Sequence, residues 1–173
     1  MNRLDVFEAT KKRRSIRNYL DKPVEEETLA KILDAARLAP SAVNLQPCTF
    51  IVVRDKAAKE RLSKSYSRPW FTQTPVIVVA CVSPEKAWKR WDGEEFWKVD
   101  AAIALQTLVL AATAEGLGTC WIGAFDEKLC KEALGIPRNV RVVAMTPLGY
   151  PAEVKPEVTE RKSLAEFVRY DGW

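Results

Sequence analysis

Apolar residues recur along this chain in two rhythms. In "EEETLAKILDAARL", Leu29, Ile32, Leu33 and Ala36 return at intervals of three and four, the stripe of an amphipathic helix. Glu25 to Glu27 load its first turn with negative charge, which the helix dipole favours, and Pro40 ends it. "CTFIVVR" (48–54) and "PVIVVACV" (75–82) are β-branched runs without alternation, the pattern of strands buried on both faces. "NVRVVAMTPLGY" (139–150) predicts a third strand, and the stretch between the first two has helical character without clear bounds. The longest helix is expected in "EEFWKVDAAIALQTLVLAATAEGLG", apolar around most of its circumference from Ala101 to Ala114. Such a helix is buried at the centre of a fold or at a subunit interface. Gly116 and Gly118 are expected to supply the left-handed residues that stop it.

Polar residues at fixed offsets set the other boundaries. Asp5 with Glu8 three residues on is the spacing of a capping box and predicts a short helix from Val6 to Lys12. Asp126 caps a helix through Leu134, which Gly135 and Pro137 end. "PSAVNLQP" (40–47), with proline at both ends, reads as a loop. "SPEKAWKRWDGEEFW" is rich in charge and tryptophan, and its Trp88 to Trp97 stretch has no pattern that assigns a structure. The tail, 151–173, has few apolar residues and is expected to fold over something else. With no repeat and no linker, the chain reads as one domain over 1–173. Three strands among four or five helices give an α+β layered fold, with helices flanking a central sheet.

Composition narrows the function. The 173 residues are 47% apolar, enough for a packed core. A net charge of +4 falls short of a dedicated nucleic-acid binder, so the basic cluster near the N-terminus is a local feature. "MNRLDVFEATKKRR" has no apolar run, so no secretory leader is expected. Val99 to Ala114 is interrupted by Asp100 and Gln106 and is short for a bilayer, so no membrane span is expected either. Cys48, Cys81, Cys120 and Cys130 form no C-x-x-C pair and suit buried thiols in a reducing cytoplasm. Histidine is absent, which removes Ser-His and Cys-His nucleophile pairs and histidine-based metal sites. Redox chemistry in such a chain needs a borrowed cofactor, and no metal is expected.

Three segments carry candidate chemistry. Lys11, Lys12, Arg13, Arg14 and Arg17 place five cations in seven positions around Ser15. The plain reading is a solvated basic helix end. The functional reading is a phosphate clamp, since arginine forks match phosphate bidentately and a serine hydroxyl adds a neutral donor. If the segment is extended, Arg13, Ser15 and Arg17 share a face. In "PSAVNLQP", Ser41, Asn44 and Gln46 form either an ordinary loop or a polar ledge for a planar ligand. "GLGTCWIG" follows a helix, so it is not a dinucleotide fingerprint, although Gly123 lets backbone approach a ligand closely.

In this order the segments resemble the nitroreductase family of flavin-dependent oxidoreductases. The matching pieces are "RRSIRNY" (13–19), "PV" with the acidic helix start (23–27), "AARLAPSAVNLQP" (35–47), "GLGTCWIGAF" (116–125), "LGIP" (134–137), "LGYP" (148–151), "ERK" (160–162) and the terminal Trp173. Cys48 departs from the pattern, standing where the family usually has an aromatic residue. The resemblance implies a three-layer sandwich with a central mixed sheet, and an intertwined homodimer whose tails pack on the partner subunit. It implies FMN as cofactor. Arg13, Arg14, Ser15 and Arg17 would then be the N-terminal flavin-binding segment, with Arg161 and Lys162 as further phosphate contacts. Pro40, Ser41, Asn44 and Gln46 would belong to the loop contributed by the second subunit, and Ile122 and Gly123 would run beside the flavin ring. The implied activity is a ping-pong transfer of hydride from NAD(P)H through FMN to a nitroaromatic, a quinone or a similar acceptor, with no catalytic side chain. Two other readings stand beside it. One is a dehydrogenase or reductive dehalogenase on the same flavin scaffold, with a different lid at Trp88 to Trp97. The other is a non-enzymatic basic module that binds nucleic acid, although the reading above expects no nucleic-acid partner.

Overall fold

The computed structural model describes residues 4–173, and the first three residues lie outside the described residues. The elements run α1 (Val6–Lys12), α2 (Glu26–Arg37), β1 (Cys48–Val53), α3 (Lys56–Ser63), α4 (Pro69–Gln73), β2 (Val76–Val82), α5 (Trp97–Ala114), β3 (Gly118–Thr119), α6 (Glu127–Leu134), β4 (Arg141–Gly149) and α7 (Leu164–Phe167). The sheet has the order β1-β2-β4-β3 and pairs antiparallel along all four strands. Among the described residues the expected mixed character enters only through an isolated parallel bridge between Ser15 and Thr119.

Strand β2 is buried along its whole length and feeds two cores. Val76, Val78 and Ala80 face α2 and α5, packing with Leu29, Ile32, Leu105 and Leu108. Ile77, Val79 and Cys81 face the other way, with Leu62, Phe71 and Cys130 from α3, α4 and α6. Helices therefore cover both faces of the sheet, which gives the three layers. A register shift between Ala80 and Cys81 skips Val143, so Ala144 and Val142 on β4 serve opposite cores.

Several sequence expectations are met in detail. Asp5 caps α1 in a capping box with Glu8, Asp126 caps α6 through the Leu129 N–H, and Gly135 ends α6 at φ 66°. Others need correction. β1 is an edge strand and only partly buried, because β2 covers one of its edges and no described strand covers the other. Gly116 adopts φ 78° at the end of α5, but Gly118 lies in β3. Its reason for being glycine is contact: a Cβ there would stand 2.7 Å from Ile16 Cγ1. Gly118→Ala is accordingly expected to cost about 1–3 kcal/mol through overpacking. Thermal denaturation checks this, and a variant as stable as the parent would mean that Ile16 moves aside freely.

The segment that the sequence left open is a small hairpin. Lys89 bridges Glu95, Gly93 turns the chain at φ 94°, and the Trp88 and Phe96 rings meet edge to face at 4.9 Å. Helix α5 is long and apolar enough to cross a membrane by length and composition alone. Here it is a core helix, with Leu105 and Leu108 fully buried between α2 and the sheet.

Candidate functional site

The basic segment leaves α1 at Arg13 and runs extended alongside β3. The Ile16 N–H donates to the Thr119 carbonyl at 2.8 Å, and the Lys155 ammonium donates to the Ser15 carbonyl at 3.1 Å. Farther along, the Leu20 N–H donates to the Tyr150 carbonyl and the Ala152 N–H to the Asn18 carbonyl. The Tyr19 hydroxyl donates to the Ile16 carbonyl at 2.7 Å. Burial holds that phenol well above the usual tyrosine range; Cys120 adds to the effect and Arg17 opposes it. The arm is thus fixed by its backbone, which leaves its side chains for other work.

Those side chains divide between two faces. Arg14 and Ile16 line one groove of about 610 Å³ with Thr113, Leu117 and Gly118. In an extended segment Arg13, Ser15 and Arg17 point the opposite way. Arg14 therefore lies on the other face from Arg13, Ser15 and Arg17, and among the described residues its buried Nη1 has no hydrogen-bond partner. Among the described residues, no carboxylate forms an ion pair with Arg13, Arg14 or Arg17, whereas neighbouring Lys11 pairs with Glu157 at 3.3 Å. Like charges this dense repel unless an anion neutralises them.

The strand beside the arm continues through the residues predicted to flank a ligand. The Cys120 N–H donates to Thr146 Oγ1, and Ile122 exchanges two backbone hydrogen bonds with Met145 at 2.9 and 3.0 Å. Ile122 is buried, while Gly123, next in the chain, is exposed and a Cβ on it would meet nothing within 4 Å. The structure thus joins the arm to Gly118 and Thr119, at the head of the segment that runs on to Gly123.

It does not join the arm to the 40–47 loop. Pro40, Ser41 and Gln46 line a separate 360 Å³ cavity over β1 and the start of α5, with Cys48 and Asp100. Asn44 sits on the same loop in a short 3₁₀ turn over Ala42–Asn44. The arm's groove reaches Thr113 at the other end of α5, and from Asp100 to Thr113 that helix rises about 20 Å. Arg161 and Lys162 lie in the exposed tail, and no described hydrogen bond or ion pair ties either to the arm.

The sequence reading missed Thr119 and Lys155, which hold the arm, and Asp100, whose Oδ1 accepts from the Ala42 N–H at 2.9 Å. The signal for Asp100 was present as the break it makes in an apolar helix. The cysteines are buried or half-buried. Burial pushes the Cys48 thiol up to about 11, helped by Asp100, and raises Cys81 to about 11 and Cys130 to about 12. Thiols so placed are not poised as nucleophiles. Cys120 sits closest to the arm, and on the flavin reading that the resemblance implies, Cys120→Ala is expected to leave flavin binding and reduction by NAD(P)H unchanged. A variant that holds flavin but resists reduction would overturn this.

The fold and these segments have close counterparts. The family model for "Nitroreductase family" matches residues 10–98 and 63–150. The chain belongs to the nitroreductase family. As a nitroreductase-family chain it is an oxidoreductase. It is 34% identical over 166 residues to an "FMN reductase [NAD(P)H]" of Bacillus subtilis, covering 86% of this chain and 67% of that one. Among solved structures it is similar to a nitroreductase family protein from Clostridium novyi NT, with 39% identity and a TM-score of 0.82, covering 88% of this chain and 89% of the other. It is also similar to an "FMN-dependent Nitroreductase" from Clostridium difficile R20291, with 33% identity and a TM-score of 0.83, covering 95% of this chain and 98% of the other.

Proposed function

We propose that this protein is a cytoplasmic, single-domain FMN enzyme that oxidises NAD(P)H and reduces nitroaromatics, quinones or similar acceptors, working as a homodimer with sites shared between subunits. The observation that carries the reading is the arm: guanidiniums on an extended strand, with no carboxylate partner among the described residues, pinned to Thr119 at the head of the segment that leads to the open backbone at Gly123. That donor set fits a phosphate monoester next to a planar ring. Arg13 and Arg17 supply forks, Ser15 a neutral donor, and Ile122 and Gly123 an apolar edge with room for close approach. The names of the relatives supply FMN as the ligand that matches it.

FMN, held by Arg13, Ser15 and Arg17 beside Ile122 and Gly123, would supply the hydride-transfer chemistry between NAD(P)H and the acceptor. The chain's own task is to hold the phosphate, to place positive charge near the ring and to keep water from it. Arg161 and Lys162 join the phosphate when the tail closes over the partner subunit. The tail's exposed Leu164, Phe167, Tyr170 and Trp173 favour that placement, since they find no cover in their own chain. The separation of the arm from the Pro40–Gln46 loop along α5 favours a two-fold dimer, in which the loop of one chain meets the arm of the other.

Steady-state kinetics test the activity. With NADH or NADPH varied against a nitroaromatic or a quinone, double-reciprocal plots should be parallel, the mark of alternating half-reactions. Intersecting lines, or no oxidation of either nicotinamide, would contradict it.

A further inference from the structure

We infer that Asp100 is a positioning residue that locks the Ser41–Gln46 loop into the shape from which it reaches the flavin held by the partner, an inference that rests on the shared-site reading above. Asp100 is 2% exposed, in the first turn of α5. Its Oδ1 accepts from the Ala42 N–H at 2.9 Å, across 58 residues of chain, and its buried Oδ2 has no partner among the described residues. A buried carboxylate is costly and is kept where it has work to do. The positive end of the α5 dipole eases its charge, and the charge in turn strengthens the bond to Ala42.

What it holds is strained. Val43 has φ 44°, Asn44 φ 58° and Gln46 φ 51°, all in the left-handed region, where a β-branched residue such as Val43 is especially disfavoured. Such conformations persist only when their surroundings over-determine them. The loop's other hydrogen bonds are internal: Asn44 N–H to the Ser41 carbonyl, Leu45 N–H to the Ala42 carbonyl, Gln46 N–H to Ser41 Oγ and Gln46 Nε2 to the Asn44 carbonyl. They shape the turn without fixing it to the body. Among the described residues, the Asp100–Ala42 bond is the one hydrogen bond from residues 41–46 to another element. Asp100 also lines the cavity beneath the loop with Ser41 and Gln46, so removing its side chain leaves the loop unsupported from below.

Two variants and two readouts test this. Asp100→Asn keeps an oxygen for the Ala42 N–H; Asp100→Ala does not. On flavin-free protein, amide exchange over Ala42–Gln46 should accelerate in Asp100→Ala while the C-terminal half of α5 keeps its protection, and Asp100→Asn should restore the loop. In titrations with FMN, Asp100→Ala should bind about tenfold more weakly, and Asp100→Asn within about threefold of the parent. Unchanged exchange at the loop in Asp100→Ala would overturn the inference. So would exchange rising along all of α5 in both variants, which marks a merely structural role, or a loosened loop with parental FMN affinity. A parent protein that binds no FMN would instead overturn the shared-site reading, and the exchange data would still decide whether Asp100 is the anchor.

Discussion

Arg13→Ala combined with Arg17→Ala is expected to weaken FMN binding at least about a hundredfold, because each charge-assisted contact to phosphate contributes about 1.5–3 kcal/mol. Riboflavin has the same ring and no phosphate, so its affinity should change far less. The fold should tolerate the change: Arg17 is exposed, Arg13 half-buried, and the arm is held by backbone bonds to Thr119 and Tyr150. Arg14→Ala is the control that the structure adds. Its side chain lines the opposite groove, so it should leave the discrimination between FMN and riboflavin nearly intact. Flavin fluorescence titrations give all these affinities. Equal losses for FMN and riboflavin in the double variant would mean that these arginines act through the ring or through folding.

The second large effect concerns subunit sharing. One chain carries the broken arm, Arg13→Ala with Arg17→Ala, and another a broken loop, Asn44→Asp. Each homodimer should be nearly inactive. In a mixed dimer one site collects both defects and the other has neither. With random assembly about half the dimers are mixed, so roughly a quarter of all sites recover. Co-expression is needed where intertwined chains do not exchange. The control places both defects on one chain and pairs it with an arm-defective partner, where no site is intact. Mixed dimers that are demonstrably present but no more active than the separate homodimers would rule out the shared site.

Much of the architecture was legible because local chemistry and global position agree there. Asp5 and Asp126 cap helices through bonds within three residues, and α2 shows its buried stripe directly. Elsewhere the deciding contact is remote in sequence. A β-branched run without alternation reads alike for central β2 and edge β1, because the missing neighbour of β1 leaves no trace in its own residues. Gly118 looks like a second helix stop, and only the fold brings Ile16 against it. β3 is two residues long and carries no periodicity. Within the site, the density of charge exposed the arm, and alternation already separated Arg14 from Arg13, Ser15 and Arg17; the family resemblance had grouped them. Asp100 announced itself as a charge in an apolar helix, but its partner Ala42 lies beyond any local window. The loop read correctly as a loop, while its left-handed Val43 has no sequence signature at all.

The most direct test of the FMN reading is the visible spectrum of the purified protein, followed by titration of any colourless material with FMN. The account predicts flavin absorption bands at about one FMN per chain, bleached anaerobically by NADH or NADPH and restored by a nitroaromatic or a quinone. Protein that carries no flavin and takes up no FMN on titration would contradict it.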